Sequence, residues 1–522
     1  MTLMANVPDK TFRETMDEEA VSDPGRVYCT FKGQSITFGQ LNEEVNRLAN
    51  SLLGLGLKKG DHVGVMLPGH PDHIVTIFAL AKVGLVRIPI NTSLKGPALD
   101  YPFSTFAVDA LIADSAYAEP LAPILESHGL KAVVWRSGLP ASVRAGLRYE
   151  ELAAAGDPRA PAVAPGPDDI IAITPSSGTT GAPKGVLKSD RTLRAGPMAV
   201  LRLTGARPGE TLLFWESLHH GAGVAVCIAA VLGKLTLGMV ERFSASRFWA
   251  QAREVGATRV HYLGSVLPMV LKQPESPGDR SHGATIAWGG GCPLELWRPV
   301  EERFNVQIRE GYGLSELITF CLINMDGRVG SVGKPLSWYE AMVADEKGEP
   351  CPAGKVGELC LRATVPGLHF LGYFRNEKAT RETMRGDWFR TGDLVRQDED
   401  GYFFFAGRAK DAVRRRGINI SAWEVERVLL DHPAIEEVAL IGVPSELGED
   451  EIKIFVRKAQ GADLSPSELI RWCEPRLPRF QMPRYIAFVE EFPRTPTQRI
   501  RKLELSRETS GCWDYEKSGL AI

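Results

Sequence analysis

Ten residues, Ser176-Ser177-Gly178-Thr179-Thr180-Gly181-Ala182-Pro183-Lys184-Gly185, hold three glycines, four hydroxyls and one lysine directly after the apolar run Ile170-Ile171-Ala172-Ile173. Glycines let backbone N–H groups turn inward, hydroxyls donate further hydrogen bonds, and the lysine adds a point charge. That is the chemistry of a polyphosphate cradle. It differs from the Gly-x-x-x-x-Gly-Lys-Ser/Thr loop, because here the hydroxyls precede the lysine. Tyr312-Gly313-Leu314-Ser315-Glu316 puts a ring, a hydroxyl and a carboxylate in one turn. Trp388-Phe389-Arg390-Thr391-Gly392-Asp393 brings a carboxylate to a strand end, where it could accept from ribose hydroxyls. Gly407-Arg408-Ala409-Lys410-Asp411 leads into Arg414-Arg415-Arg416-Gly417, a charged, hinge-like run, and Pro493 to Lys502 forms a basic loop. Taken singly, a surface loop, a helix cap and a solvated arginine face are the alternatives for these segments. Their order and spacing are what make them specific.

These segments need a scaffold. Leu41, Val45, Leu48, Leu52 and Leu55 recur at helical spacing over residues 36–56. His62 to Leu67 reads as a buried strand, Ile74 to Val83 as a helix and Val86 to Ile90 as a short strand. This alternation runs to about residue 340 and predicts α/β layers with mostly parallel sheets. Residues 154–168, rich in Ala, Gly, Pro and Asp, read as a connector. Short strands with turn signals follow (Gly357 to Leu361, Gly401 to Phe405), then a small α+β region from about 411. At 522 residues, more than one domain is expected. A net charge of −3 gives no field for nucleic acid, and no apolar run is long enough for a membrane span. The eight cysteines include no C-x-x-C pair, which predicts reduced thiols in a cytoplasm rather than a zinc site.

Read in order, the segments resemble the adenylate-forming superfamily of acyl-CoA synthetases, luciferases and peptide-synthetase adenylation domains. The resemblance covers nearly the whole chain, from Ile36-Thr37-Phe38-Gly39-Gln40-Leu41 to Lys502. It implies an α/β fold: a large adenylate-binding N-terminal domain of layered sheets and helices, residues 1–409, and a small mobile α+β C-terminal domain, residues 410–522, with a thioesterification loop. It places Thr179, Thr180 and Lys184 on the β- and γ-phosphates of ATP, Tyr312 on adenine, and Gly289, Gly290 and Gly291 beside the base. Glu316 would hold Mg²⁺, and Ser315 would put its hydroxyl on the α-phosphate where threonine is commoner. Asp393 would bind ribose hydroxyls, Arg408 ribose or phosphate, Lys410 would be the hinge, and Gly417 would let pantetheine slide past. The acid pocket would be lined by Trp215, His219, His220, Gly223, Trp288 and Gly313. His220 in place of an amine-binding aspartate implies a carboxylic acid without an amine, and the glycines Gly221, Gly223 and Gly289 to Gly291 suggest a wide, rigid one.

One departure matters. Where the family has Gly-Lys, this chain reads Gln498-Arg499, so arginine stands at the position of the adenylation lysine. A planar guanidinium replaces a compact ammonium poorly. Loss of one well-placed donor to transition-state charge typically costs ~10²–10³ in rate. The expectation is an enzyme that joins an acyl-adenylate to CoA, its ATP-dependent adenylation impaired and supplied by a separate homologue. Two alternatives stand: a complete ligase using ATP, Mg²⁺ and CoA, and a nucleotide-binding pseudoenzyme. With twenty residues after Lys502, free CoA is expected as acceptor, with a separate carrier's pantetheine as the other option. A dimer is one option for the assembly.

Overall fold

The computed structural model describes residues 9–143, 146–176, 183–264, 266–409, 412–415, 418–444, 450–477, 479–494 and 499–519. Thr179, Thr180, Lys410, Gly417 and Gln498 lie outside them. The chain divides into two compact units, Met1–Ala341 with Leu361–Phe389, and Met342–Cys360 with Arg390–Ile522.

In the first unit the helical spacing over residues 36–56 becomes the helix Phe38–Gly54, which buries Leu41, Val45, Leu48 and Leu52. Its start is set by a capping box: the Thr37 hydroxyl accepts from Gln40 N, and the Gln40 side chain accepts from Thr37 N. The strands His62–Met66 and Val86–Pro89 and the helix Pro71–Val83 form where the apolar runs placed them. They belong to a seven-stranded sheet, parallel except for its last strand, Lys184–Ser189, which returns antiparallel along Ile170–Ser176. A second sheet of nine strands has a parallel centre, in which Thr211–Phe214, Arg259–Leu263, Ile286–Gly290 and Gln307–Tyr312 lie side by side. Thr211–Phe214 and Ile286–Gly290 have the apolar sequence that strands buried on both faces need, whereas Arg259–Leu263 and Gln307–Tyr312 also bury Arg259, His261 and Glu310. The connector expected at 154–168 begins after the helix Tyr149–Ala155 and is strapped down. Asn46 donates to the Pro158 carbonyl at 2.9 Å, and Asn50 to those of Asp157 and Arg159 at 2.8 and 2.9 Å.

The second unit contains the α+β region expected from about 411 and also takes in Met342–Cys360 and the strands from Arg390 on. Ile435–Pro444 pairs antiparallel with Asp450–Lys458, which pairs parallel with Tyr485–Phe488. The helices Ala422–Leu430 and Pro466–Cys473 pack on that sheet through Val425, Leu429, Leu469 and Ile470 against Ile452 and Ile454. Two readings need correction. Asp393 lies inside the strand Trp388–Gln397 rather than at a strand end, because pairing with Phe403–Arg408 carries the strand on to Gln397. The arginine run is not wholly a solvated hinge: Arg415 is buried, 2.8 Å from the Glu451 carboxylate, and donates to the Met482 carbonyl.

The eight cysteines are unbridged thiols. Burial pushes those of Cys29, Cys321 and Cys473 up to about 12. Among the described residues no helix is long and apolar enough to cross a membrane.

Candidate functional site

Parallel strands of an open α/β sheet offer ligands their carboxyl ends. In the nine-stranded sheet that edge gathers Trp215 after Thr211–Phe214, Leu263 at the end of its strand, Gly290 at the end of Ile286–Gly290 and Tyr312 at the end of Gln307–Tyr312. The register sets Tyr262 beside Gly289, Leu263 beside Gly290, and Gly289 beside Glu310. The expected glycines, Tyr312, Ser315 and Glu316 therefore share one edge with Trp215 and the loop that carries His219 and His220.

Glu310 holds that edge together, and the sequence reading missed it. Its buried carboxylate accepts from Cys292 N at 3.2 Å, from Gly291 N and from the Tyr262 hydroxyl. An acid two residues before Tyr312 in a buried strand was the available signal. Burial pushes Glu310 up to about 8 from the usual 4.5, against the pull of its three donors. The unfolded chain releases this proton near 4.5 and the native state keeps it to about 8, so stability is largest at low pH for this group. It falls across that window by at most about 1.4 kcal/mol per pH unit. Glu310→Gln should flatten this stretch of the stability–pH curve in urea unfolding; an unchanged slope would assign the slope to other groups.

The glycines serve close backbone contacts rather than pocket width. A Cβ on Gly289 would stand 2.0 Å from the Tyr262 carbonyl oxygen, one on Gly290 3.0 Å from that of Gly311, and one on Gly223 2.6 Å from that of Ser217. Gly291 has φ +86°, a conformation only glycine adopts without strain. The inference of a wide acid from Gly223 and Gly289 is therefore withdrawn: neighbouring backbone fills the space their side chains would take. Gly221 differs, with nothing within 4 Å of its Cβ position.

The expected acid pocket is built on a buried pair. Glu216 Oε1 lies 2.6 Å from His261 Nδ1, and both side chains are almost fully enclosed. The His261 ring lies between Trp215, stacked at 5.9 Å, and Trp288 at 4.3 Å. Trp215 donates from Nε1 to the His261 carbonyl at 3.1 Å and from its backbone N to Glu216 Oε2 at 2.8 Å. Below the loop, buried Arg87 donates to the Leu218 carbonyl at 3.0 Å. His219 bonds Ser217 through Nδ1 at 2.5 Å and packs on His220 at 4.3 Å. Burial, then His220 and Arg87, push His219 down to about 3, so its ring is neutral near pH 7.

Lys184 and Glu316 are joined through a residue the sequence reading did not single out. The Tyr373 hydroxyl donates to Glu316 Oε1 at 3.0 Å, and Lys184 Nζ lies 4.8 Å from the centre of the Tyr373 ring. Buried Lys188, on the same strand as Lys184, donates to the Leu317 carbonyl, and burial lowers it to about 8. Among the described residues no three His, Cys, Asp or Glu side chains cluster to cage a metal. A lone partly exposed carboxylate fits Mg²⁺, which commonly takes one or two protein carboxylates and fills its octahedron with phosphate and water. Gly313 is forced by the same turn, its Cβ position lying 1.9 Å from the Thr319 carbonyl oxygen.

In the second unit Asp393 is buried, with Oδ1 3.1 Å from Arg408 Nε and the two residues directly opposite in register. Partial desolvation and then Arg408 lower the Arg499 pKa while Asp393 raises it, so Arg499 shares this neighbourhood. Lys502, the trailing basic residue, is tied to Glu426 at 2.7 Å.

Comparison with known proteins agrees with this geometry. The family model described as AMP-binding enzyme matches residues 11–374, and that described as AMP-binding enzyme C-terminal domain matches 424–499. A crotonobetaine/carnitine–CoA ligase of Escherichia coli O139:H28 is 30% identical over 478 residues, 89% of this chain and 92% of that protein. The solved anthranilate CoA ligase AuaEII in complex with anthranoyl-AMP matches with TM-score 0.84 at 25% identity, covering 95% of this chain and 96% of that one. ATP-bound MatB from Rhodopseudomonas palustris also matches at 0.84 and 25%, covering 96% and 97%. This chain belongs to the AMP-binding enzyme family and is an acid–thiol ligase of the acyl-CoA synthetase type.

Proposed function

We propose that the chain converts the adenylate of an amine-free carboxylic acid to its CoA thioester, with the preceding ATP-dependent adenylation slowed by Arg499 and supplied by a separate adenylating homologue. The observation that carries the nucleotide reading is the gathering of Gly289 to Gly291, Tyr312 and the Glu316 turn at adjacent strand ends. In this reading Tyr312 stacks on adenine, Asp393 accepts from ribose with Arg408 beside it, and Ser315 donates to the α-phosphate. The CoA thiolate attacks the acyl carbon of the mixed anhydride, the C–O bond to phosphate breaks, and AMP leaves with the electron pair. Gly417 gives pantetheine its passage and Lys410 is the hinge between domains 1–409 and 410–522. The half-buried Trp215 and neutral His219, with exposed His220, favour an acid with an uncharged acyl group.

A second reading, the complete ligase, is favoured by one arrangement: Lys184 and Glu316 are held together by Tyr373. Here the acid's carboxylate attacks the α-phosphorus and pyrophosphate leaves, with Arg499 in the role of the lysine. Mg²⁺ held by Glu316 would neutralise phosphate charge. One substitution pair separates the readings. Arg499→Lys with Gln498→Gly should raise pyrophosphate release from acid plus ATP by about 10²-fold if arginine is the impediment. Thioester formation from synthetic acyl-AMP should change little. An already brisk wild-type rate that the substitutions leave unaltered would establish the complete ligase instead.

A further inference from the structure

We infer that Tyr373 is a positioning residue that couples the phosphate-loop lysine, Lys184, to the carboxylate Glu316, so that the two ends of a bound triphosphate site are set as one unit. The inference rests on the nucleotide-binding part of the proposed function. Tyr373 is buried, and its hydroxyl donates to Glu316 Oε1 at 3.0 Å. Its ring presents its face to Lys184 Nζ at 4.8 Å. A carboxylate at one end polarises the O–H, which enriches the ring's electron density and strengthens its attraction for the ammonium. The ring cannot swing away, because the backbone on both sides of it is stitched to the strand Lys184–Ser189. Leu187 N donates to the Gly372 carbonyl at 3.1 Å, Phe374 N donates to the Gly185 carbonyl at 2.7 Å, and Val186 bridges Tyr373 itself. Tyr373 N is further held by the Thr380 hydroxyl at 2.9 Å. Glu316 is steadied from the other side, since Lys188 of the same strand donates to the carbonyl of Leu317. One strand therefore supplies both lysines, and Tyr373 closes the loop back to the acid.

The arrangement makes a specific demand. Lys184 and Glu316 carry opposite charges, and the Tyr373 side chain touches both, its ring facing the ammonium and its hydroxyl bonded to the carboxylate. Each is tied to the phenol, which leaves the ammonium and the second carboxylate oxygen for phosphate and cation. Tyr373→Phe keeps the ring and removes the hydroxyl's bonds to Glu316 and to Thr383.

The test is calorimetric titration of ATP, with and without Mg²⁺, and of AMP, into the full-length wild type, Tyr373→Phe, Glu316→Gln and the double variant. Tyr373→Phe should weaken MgATP binding roughly 3–10-fold, the range of one lost hydrogen bond. AMP affinity should stay within about twofold. The Mg²⁺ concentration needed for half-maximal ATP binding should rise by a similar factor. Glu316→Gln should cost less in the Tyr373→Phe background than alone, because the tether then has nothing left to position. Unchanged MgATP affinity in Tyr373→Phe, or fully additive losses, would overturn the coupling while leaving nucleotide binding intact. Equal weakening for AMP and MgATP would mark Tyr373 as structural only and overturn it as well. A wild type that binds AMP but not MgATP would overturn it together with the phosphate-loop assignment. Melting temperature distinguishes all of these from misfolding, since Tyr373→Phe should unfold within a few degrees of wild type.

Discussion

Gly313→Ala should lower thioester formation from acyl-AMP on the order of 10²-fold, the cost of moving a positioned group by about an ångström. The added methyl would meet the Thr319 carbonyl oxygen at 1.9 Å, its carbon at 2.4 Å and the Ile318 carbonyl oxygen at 2.6 Å. These are backbone atoms of the segment that folds back on the turn, where Leu314 N donates to the Ile318 carbonyl and Cys321 N to that of Tyr312. Neither side can yield without moving Tyr312, Ser315 and Glu316 together. Gly54→Ala, at the end of the helix Phe38–Gly54 with nothing within 4 Å of its Cβ position, is the matched control and should be tolerated. The measurement is the rate on synthetic acyl-AMP alongside a circular-dichroism melt. A Gly313→Ala rate within about threefold of wild type, against the ~10² expected, would mean that the turn does not position the reacting groups.

Glu216→Leu should cost about 3–5 kcal/mol of stability, because it strands a buried imidazole that has lost its carboxylate. The pair is enclosed on both sides, and Trp215 loses the acceptor of its backbone N–H at the same time. Adding His261→Phe to that variant should recover more than half of the loss, since replacing both partners of a buried pair is far cheaper than breaking it. Chemical denaturation of the two single variants and the double gives the coupling directly. Strictly additive losses would show that Glu216 and His261 stabilise the fold independently.

The scaffold was legible because its signals are local. A capping box at Thr37 and Gln40, a run such as His62 to Met66 and the glycines Gly84 and Gly205 that close their helices lie within a few residues of what they govern. The glycine-bearing segments of the site were legible for the same reason. The groups that fix the site were not. Tyr373 meets Glu316 across 57 residues, Lys188 meets Leu317 across 129, and Glu310 meets Gly291 across 19. No periodicity links such partners; only the packed sheet does. The glycine misreading has a related cause. A missing side chain looks the same in sequence whether substrate or another strand occupies the gap, and at Gly289 the occupant is the carbonyl of Tyr262.

The buried thiols bear on how this chain ages. Alkylating agents and peroxides attack the thiolate. With a pKa of about 12, Cys29, Cys321 and Cys473 hold roughly one part in 10⁵ of that form near neutrality, against a few per cent for a surface cysteine. Cys321 stands next to Phe320 at the root of the Glu316 turn, so the thiol behind that turn is also among the least reactive. Oxidants reach more readily the half-exposed Cys351 and Cys512 of the second unit, which lie far along the chain from that turn.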